Sequence, residues 1–320
     1  MPPVRSRIAV PCKLAQGGAS TRSLAQYDSA MHRPLHSTLA LVAALLAATL
    51  PVHPDPAAAQ SFTTGPHPAA STPAIGQVSK DSVWVPTPER LIRRLLQLAD
   101  VGADDTVLDL GSGDGRVPIH AAKHFGAHAI GIELEENLVR VSNEAARVNG
   151  VADRVRFDRQ DLFDTDLAQA TVITLYISPG VMTRLKPRLL ALKPGTRIVS
   201  HQFTLDDWEP DESVRSDGRM GYLWVVPGAV AGTWNIEGAG DVLRIEIAQQ
   251  YQSLMIRGER AGKPVAVIGA RLRGNDISFS SFDADGVSRH FHGRLAGARI
   301  DGESKREGSK PLRWSATRVR

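Results

Sequence analysis

The chain has 320 residues, enough for one domain with a large core or for two domains of ordinary size. Apolar residues make up 42% and charged residues 22%, which is ordinary for a soluble globular protein. The formal net charge of +4 is too modest to indicate nucleic-acid binding, and no basic segment interleaved with aromatic residues is present. We therefore predict no nucleic-acid partner.

The first 59 residues are predicted to be an N-terminal extension that carries an export signal. Met31 is the more natural start, because Arg33 and the uninterrupted apolar run Leu39–Leu50 follow it, and Ala57–Ala59 lie beyond a proline-rich stretch. The run has 12 residues, fewer than the roughly 20 that a membrane-spanning helix needs. The pattern predicts an exported, periplasmic protein cleaved after Ala59. The alternative is an uncleaved membrane anchor with a cytoplasmic domain. The single cysteine, Cys12, excludes an intramolecular disulfide.

Residues 60–82 are rich in Ser, Thr, Pro, Gly and Ala and are predicted to be a linker. From Val83 onward, helical and strand patterns alternate. A helix is predicted to begin with Thr87 as N-cap and Pro88 at its first position. Five strands are predicted at Thr106–Leu110, Ala129–Glu133, Val155–Phe157, Thr171–Ile177 and from Arg197. This alternation predicts an α/β domain over residues 83–225, a Rossmann-like parallel sheet with helices on both faces.

The pattern changes after about Val225, where short segments of alternating apolar and polar residues replace helices. Leu243–Ile247 alternates strictly, as does Leu312–Ala316. Glycines punctuate this region at intervals typical of turns. We predict a small antiparallel β domain over residues 228–320, a sandwich or partial barrel.

The strongest functional signal is the glycine-rich segment that follows the first predicted strand. Gly111 and Gly113 belong to a G-x-G-x-G motif, flanked by Asp109 on the strand and Asp114 within the turn. A dinucleotide site favours G-x-G-x-x-G, and two carboxylates would repel its pyrophosphate, which disfavours an NAD-dependent dehydrogenase. Carboxylates suit a ligand that carries an ammonium and a sulfonium group. The segment therefore predicts S-adenosylmethionine as cofactor.

Two further acidic residues follow predicted strands. Glu133 ends the second strand, 24 residues after Asp109, where an acid can accept hydrogen bonds from both ribose hydroxyls. Asp161 follows the third strand, where it can accept a hydrogen bond from the adenine amino group. Tyr176, at the end of the fourth strand, is a candidate for lining a substrate channel, although a core tyrosine fits the sequence equally well. The histidines are scattered, and we predict no metal site and no catalytic triad.

Several segments together resemble one enzyme family. They are Val85-Pro86-Thr87-Pro88, Asp109 to Arg116, Glu133, Asp161-Leu162-Phe163, Ser178-Pro179, Arg197 to Phe203, and Trp208. In these segments the chain resembles the seven-strand protein-lysine methyltransferases. That family is typified by the mitochondrial enzymes that act on the adenine nucleotide translocase and the ATP synthase c-subunit. The glycine motif is common to many methyltransferases. The Pro-Thr-Pro segment before the first predicted helix and the Val-Ser-x-x-Phe…Trp segment are more specific to this family.

The resemblance implies S-adenosylmethionine-dependent methyl transfer to a lysine ε-amine, with a protein as partner and possible association with membranes. No dedicated catalytic base is required, because the sulfonium is already activated and solvent can take the proton. The β domain after Val225 and the bacterial-type export signal depart from the family. Two alternatives therefore stay open, a small-molecule methyltransferase and a non-catalytic S-adenosylmethionine-binding module.

Overall fold

The computed structural model describes residues 85–239, 242–283 and 285–319, and in them the strands form two separate sheets. The predicted export signal, Cys12 and the predicted linker over residues 60–82 lie outside the described residues. The helices all precede the second sheet and are α1 (Glu89–Leu98), α2 (Arg116–Phe125), α3 (Glu136–Val148) and α4 (Pro179–Leu190), with one 3₁₀ turn at Leu167–Gln169. Within the described residues, no helix combines the length and apolar character needed to cross a membrane.

The first sheet has seven strands in the order β3-β2-β1-β4-β5-β7-β6. Strands β1 to β5 pair in parallel, and β7 pairs antiparallel with both β5 and β6. The strand bounds are β1 (Thr106–Leu110), β2 (His128–Glu133), β3 (Val155–Arg159), β4 (Val172–Leu175), β5 (Arg197–His201), β6 (Glu212–Ser216) and β7 (Arg219–Val225). The carboxyl ends of β1 to β5 therefore meet at one edge, which is where open α/β sheets bind ligands.

Helices cover both faces of this sheet. One face packs on the apolar sides of α1, α2 and α3, represented by Leu91, Ile119 and Ala146. The other face packs on α4 through Met182 and Leu185, and on the 3₁₀ turn. The predicted α/β sheet with helices on both faces is confirmed.

Two local features differ from the sequence-based predictions. Helix α1 begins at Glu89 with Pro88 at the N-cap and no side-chain cap, because the Thr87 hydroxyl is hydrogen-bonded to Nδ1 of His201 instead. The β6–β7 hairpin was not predicted. Its turn is formed by Asp217 and Gly218, both at positive φ, and β6 is a polar edge strand with little apolar pattern.

The second sheet is antiparallel, as predicted, and has nine strands in the order β11-β10-β9-β8-β16-β15-β14-β13-β12. Its strands are β8 (Gly232–Glu237), β9 (Leu243–Gln250), β10 (Ser253–Arg260), β11 (Lys263–Val265), β12 (Val267–Arg273), β13 (Asp276–Phe282), β14 (Ser288–Ala296), β15 (Arg299–Arg306) and β16 (Leu312–Arg318). Alternate residues point into its own core, in which Phe279 and Phe291 stack with ring centroids 4.8 Å apart.

The two sheets are linked by tryptophans. Trp224 on β7 donates its indole N–H to the carbonyl of Trp208 at 2.7 Å, and Trp208 donates to Oε1 of Gln252 at 2.8 Å. Both tryptophans are fully buried. Gln252 lies in the turn between β9 and β10, so this turn satisfies a buried donor of the first sheet's core.

Candidate active site

The glycine-rich loop between β1 and α2 is built from left-handed backbone. Gly111, Gly113 and Gly115 have φ values of 78°, 56° and 77°, a region in which a side chain is strained. The N–H groups of Gly111 and Ser112 both donate to the carbonyl of Ile132 at 2.9 Å. These bonds hold the loop against the end of β2, and Gly115 then serves as the N-cap of α2.

Asp109 lies buried near the end of β1, on the face that packs against α1 to α3. Its Oδ1 accepts a hydrogen bond from the Thr174 hydroxyl at 2.5 Å. Burial, with repulsion from Glu133 and Asp114, raises the pKa of Asp109 to about 7 against the opposing effect of the Thr174 hydrogen bond. A cation bound near Asp109 would lower this pKa and so favour the ionised carboxylate.

Glu133 reaches from the end of β2 to the glycine-rich loop. Its Oε2 accepts a hydrogen bond from the Gly113 N–H at 2.9 Å. Its Oε1 accepts from the N–H groups of Leu134 and Glu135 at 2.8 and 3.0 Å. The carboxylate is therefore fixed at the loop by three backbone donors.

Asp114 is held within the loop by an ion pair with Arg116 at 2.6 Å. Arg116 also donates to the carbonyl of Thr87 at 3.2 Å, so the entry to α1 is tied to the glycine-rich loop. The structure thus brings Asp109, Asp114 and Glu133 together at one edge of the sheet, and the net charge there is negative.

Asp161 lies exposed after β3, the strand next to β2. Its carboxylate accepts a hydrogen bond from the Phe163 N–H at 2.8 Å, which closes a tight turn. The preceding residue, Gln160, donates its N–H to the carbonyl of Glu133 at 3.1 Å. Asp161 therefore directly follows a residue that is hydrogen-bonded to the end of β2, although no hydrogen bond joins the Asp161 and Glu133 side chains.

Tyr176 directly follows β4 and is half-buried. Its ring centroid lies 3.8 Å from that of His201 and 6.2 Å from that of Phe203. The sequence position of Tyr176 fits either a residue that lines a substrate channel or a residue of the core. The structure places Tyr176 at the same edge of the sheet as Asp109.

Comparison with known proteins identifies the family. The chain is 42% identical over 149 residues to a protein-lysine N-methyltransferase of Saccharolobus islandicus, a match that covers 45% of the chain and 92% of that relative. The chain belongs to the protein-lysine N-methyltransferase family. It is an S-adenosylmethionine-dependent methyltransferase. The family model described as the ANTKMT methyltransferase domain matches residues 109–212, which include the glycine-rich loop and β2 to β5.

The methyltransferase is also similar to the mouse (Mus musculus) adenine nucleotide translocase lysine N-methyltransferase, at 32% identity over 128 residues. This match covers 40% of the chain and 56% of that protein, so the chain spans little more than half of its length. A crystal structure of an RNA methyltransferase from Salinibacter ruber with S-adenosyl-L-homocysteine is 46% identical, with a TM-score of 0.45. That likeness covers 46% of the chain and 96% of the solved one.

The residues present fit S-adenosylmethionine. Three carboxylates at one sheet edge suit a ligand that carries an ammonium and a sulfonium and would repel a pyrophosphate. Gly111 is exposed, so its backbone is open to a ligand, and a Cβ there would lie 3.2 Å from Ile177. Asp109, Glu133 and the loop backbone are therefore the groups that could hold the cofactor of this methyltransferase.

Two residues that contact the predicted site residues Asp109 and Tyr176 were not themselves predicted from the sequence. Thr174 is the one polar residue of the buried strand β4, a signal that could have marked it as the partner of a buried group. His201 is one of several histidines scattered along the sequence, and the sequence pattern predicts no role for it. No group of three or more His, Cys, Asp or Glu residues suited to a metal ion occurs among residues 85–239, 242–283 and 285–319.

Proposed function

We propose that this methyltransferase transfers a methyl group from S-adenosylmethionine to the ε-amine of a protein lysine. The observation that carries the proposal is the match of 42% identity across 92% of a relative named a protein-lysine N-methyltransferase. The negative charge at the carboxyl edge of the first sheet supports this proposal, because both the cofactor and an approaching lysine are cationic.

The chemistry needs alignment more than acid–base groups. When bound, S-adenosylmethionine supplies a methyl group already activated by its sulfonium. The lone pair of a neutral lysine amine forms the new nitrogen–carbon bond while the carbon–sulfur bond breaks, and the electron pair of that bond stays on sulfur. The nitrogen loses its proton to solvent. The task of the protein is to hold the two reactants in line.

We assign Asp109 to the cationic end of the cofactor, since its carboxyl group is buried and raised in pKa next to the glycine-rich loop. Glu133 is proposed to accept from the ribose hydroxyls, and Asp161 from the adenine amino group. Gly111, Gly113 and Asp114 shape the loop, with Asp114 held by Arg116. Tyr176 is proposed to line the acceptor channel beyond β4.

Methyl transfer is tested by incubating the purified protein with methyl-labelled S-adenosylmethionine and a bacterial protein extract. We expect labelled protein bands, and methyllysine in their tryptic peptides. Asp109→Asn serves as the site variant, and Asp301→Asn, on the exposed face of β15, serves as the matched control. Label confined to low-molecular-mass products would favour a small-molecule acceptor. Cofactor binding without any transfer would favour a non-catalytic module.

We propose that residues 83–225 form the catalytic domain and residues 228–320 an accessory domain. All strands of the first sheet precede Val226, and all strands of the second follow Ala231. The β domain has its own apolar core. We propose that it contributes to recognition of a protein partner rather than to cofactor binding.

We also propose that the run Leu39–Leu50 directs export, with cleavage after Ala59. The alternative is an uncleaved anchor that keeps the enzyme at the cytoplasmic face. Fusion of a periplasm-dependent reporter after residue 80 decides between them. Full reporter activity, abolished by Leu45→Arg, supports export, since an apolar segment tolerates a central arginine poorly. Activity only from a cytoplasm-dependent reporter refutes it.

A further inference from the structure

His201, at the end of β5, is a buried histidine that connects two parts of the site. It is 1% exposed. Its Nδ1 lies 3.1 Å from the Thr87 hydroxyl, at the entry to α1. Its ring centroid lies 3.8 Å from that of Tyr176, with the ring planes tilted by 32°. A single side chain thus joins the segment before α1 to the residue that follows β4.

Strand register places Tyr176 and His201 on the face of the first sheet that carries Asp109. Thr174 pairs with Asp109 of β1 on one side and with Val199 of β5 on the other. Tyr176 follows Thr174 by two residues, and His201 follows Val199 by two. Side chains two residues apart in a strand share a face. Tyr176 and His201 therefore continue the face of Asp109 toward the carboxyl edge, where the methyl acceptor must approach.

The imidazole of His201 is uncharged at ordinary pH. Burial, together with the positive charge of Arg219 on β7, lowers the pKa of His201 to about 4. A charged imidazole at this place would repel a lysine ammonium. A neutral ring held by a hydroxyl can instead pack against Tyr176, a residue that is only half-buried. Aromatic ring faces attract ammonium groups.

We propose that His201 is a positioning residue for the acceptor lysine: anchored by Thr87, it fixes the ring of Tyr176 at the edge of the sheet and so sets the affinity for the acceptor. The inference rests on the proposed lysine methyl transfer. It predicts a larger effect on KM for the acceptor than on cofactor binding. In the described part of the chain, neither the Thr87 hydroxyl nor the His201 ring is hydrogen-bonded to Asp109, Asp114 or Glu133. The Thr87 carbonyl accepts from Arg116, and a substitution of the Thr87 side chain keeps that carbonyl.

The test compares two pairs of variants with poly-L-lysine as the probe acceptor. Thr87→Val removes the hydroxyl and Thr87→Ser restores it. His201→Phe keeps a ring beside Tyr176 but cannot bond to Thr87. His120→Phe is the matched control, because His120 on α2 is also buried, also has an Nε2 without a hydrogen-bond partner among the described residues, and also has its pKa lowered to about 4 by burial.

We expect Thr87→Val and His201→Phe to raise KM for poly-L-lysine about tenfold, as the loss of one positioning hydrogen bond would. Thr87→Ser and His120→Phe should stay within about twofold of the wild type, and calorimetry should find unchanged S-adenosylmethionine affinity in all four. In a Tyr176→Ala background, His201→Phe should have little further effect, because it acts through that ring. Additive effects, equal loss in Thr87→Ser, or a parallel loss of cofactor affinity would overturn the proposal.

A readout independent of methyl transfer separates this proposal from the proposed function. The ring resonances of ¹³C-labelled Tyr176 should shift in Thr87→Val and stay in place in Thr87→Ser and His120→Phe. If the wild type methylates no lysine, the proposed function fails while the Tyr176 measurement still tests the connection. If lysine is methylated but Tyr176 does not respond to Thr87, the positioning role of His201 is wrong.

Discussion

The hydroxyl of Thr174 on β4 donates a hydrogen bond to the buried carboxyl group of Asp109 on β1 over 2.5 Å. This bond favours the ionised carboxyl group, whereas burial and the neighbouring carboxylates favour the protonated one. Burial dominates, and the pKa of Asp109 rises to about 7. Asp109 therefore changes charge near neutral pH.

Affinity for S-adenosylmethionine should increase as pH rises from about 5 to about 7.5, because the proposed role of Asp109 is to bind the cationic cofactor in its ionised form. Each pH unit below the pKa should weaken binding by up to about tenfold. Calorimetry in buffers of different ionisation enthalpy should detect proton release on binding near pH ~6. Asp109→Asn should bind more weakly and lose the pH dependence. Thr174→Val, which removes the stabilising hydroxyl, should move the transition to higher pH.

The stability of the cofactor-free protein should depend on pH in the opposite direction, falling as pH rises, because of the same carboxyl group. The folded-state pKa of Asp109 lies above its ordinary value of 3.8. Its stabilising contribution is therefore fully present below that ordinary value and is lost as pH rises to about 7, by up to about 1.4 kcal/mol per pH unit. Urea unfolding of wild type and Asp109→Asn from pH ~4 to ~8 checks this. A difference between the two that does not change with pH would contradict it.

Glu133 should be essential for cofactor affinity. Its carboxylate supports the loop through the Gly113 N–H and is assigned to the ribose hydroxyls. Glu133→Ala should weaken S-adenosylmethionine binding at least about tenfold, since a hydrogen bond to a charged group is worth about 1.5–3 kcal/mol. Glu136→Ala is the control, because Glu136 is exposed and its ion pair is with Arg159. Unchanged affinity in Glu133→Ala would refute the assignment.

The glycine-rich loop could be predicted from sequence because its determinants are local: a strand, positive-φ glycines and the start of a helix follow one another directly. The pairing of Tyr176 with His201 could not. Those residues lie on different strands and meet only through the β4–β5 register, which single-sequence patterns do not encode. The Asp217-Gly218 turn was an available signal for the β6–β7 hairpin. Strand β6 itself was not predicted, because its sequence is polar and lacks the apolar alternation of a strand.

Gly131 on β2 should tolerate no side chain. A Cβ there would collide with the ring of Phe157 and would lie 2.7 Å from Oγ of Ser112 in the glycine-rich loop. Gly131→Ala should destabilise the protein by about 1–3 kcal/mol, as overpacking of a core does. It should also weaken cofactor binding, because Ser112 belongs to the loop. Gly102→Ala is the control, since a Cβ there meets nothing within 4 Å. Equal melting temperatures of the two variants would contradict the prediction.

Gln252 should stabilise the enzyme without taking part in cofactor binding. Its Oε1 accepts the hydrogen bond from the fully buried Trp208, and its Nε2 donates to the carbonyl of Glu209 at 2.5 Å. Gln252→Ala leaves the indole N–H of Trp208 without its partner, which should cost about 1–3 kcal/mol of unfolding free energy. Gln252→Glu keeps an acceptor for Trp208 and should lose less. Gln250→Ala, at an exposed position on β9, should be neutral.

The same variants test whether the β domain is accessory. The bonds of Gln252 go to Trp208 and Glu209, which lie on the connection between β5 and β6, while the carboxylates of the site lie on and after β1 and β2. A loss of stability in Gln252→Ala should therefore leave S-adenosylmethionine affinity within about twofold of the wild type, since distant sites contribute independently. Chemical unfolding and calorimetry on one preparation measure both quantities. A cofactor affinity that falls together with stability would show that the two sheets share the site, and the accessory role of residues 228–320 would be wrong.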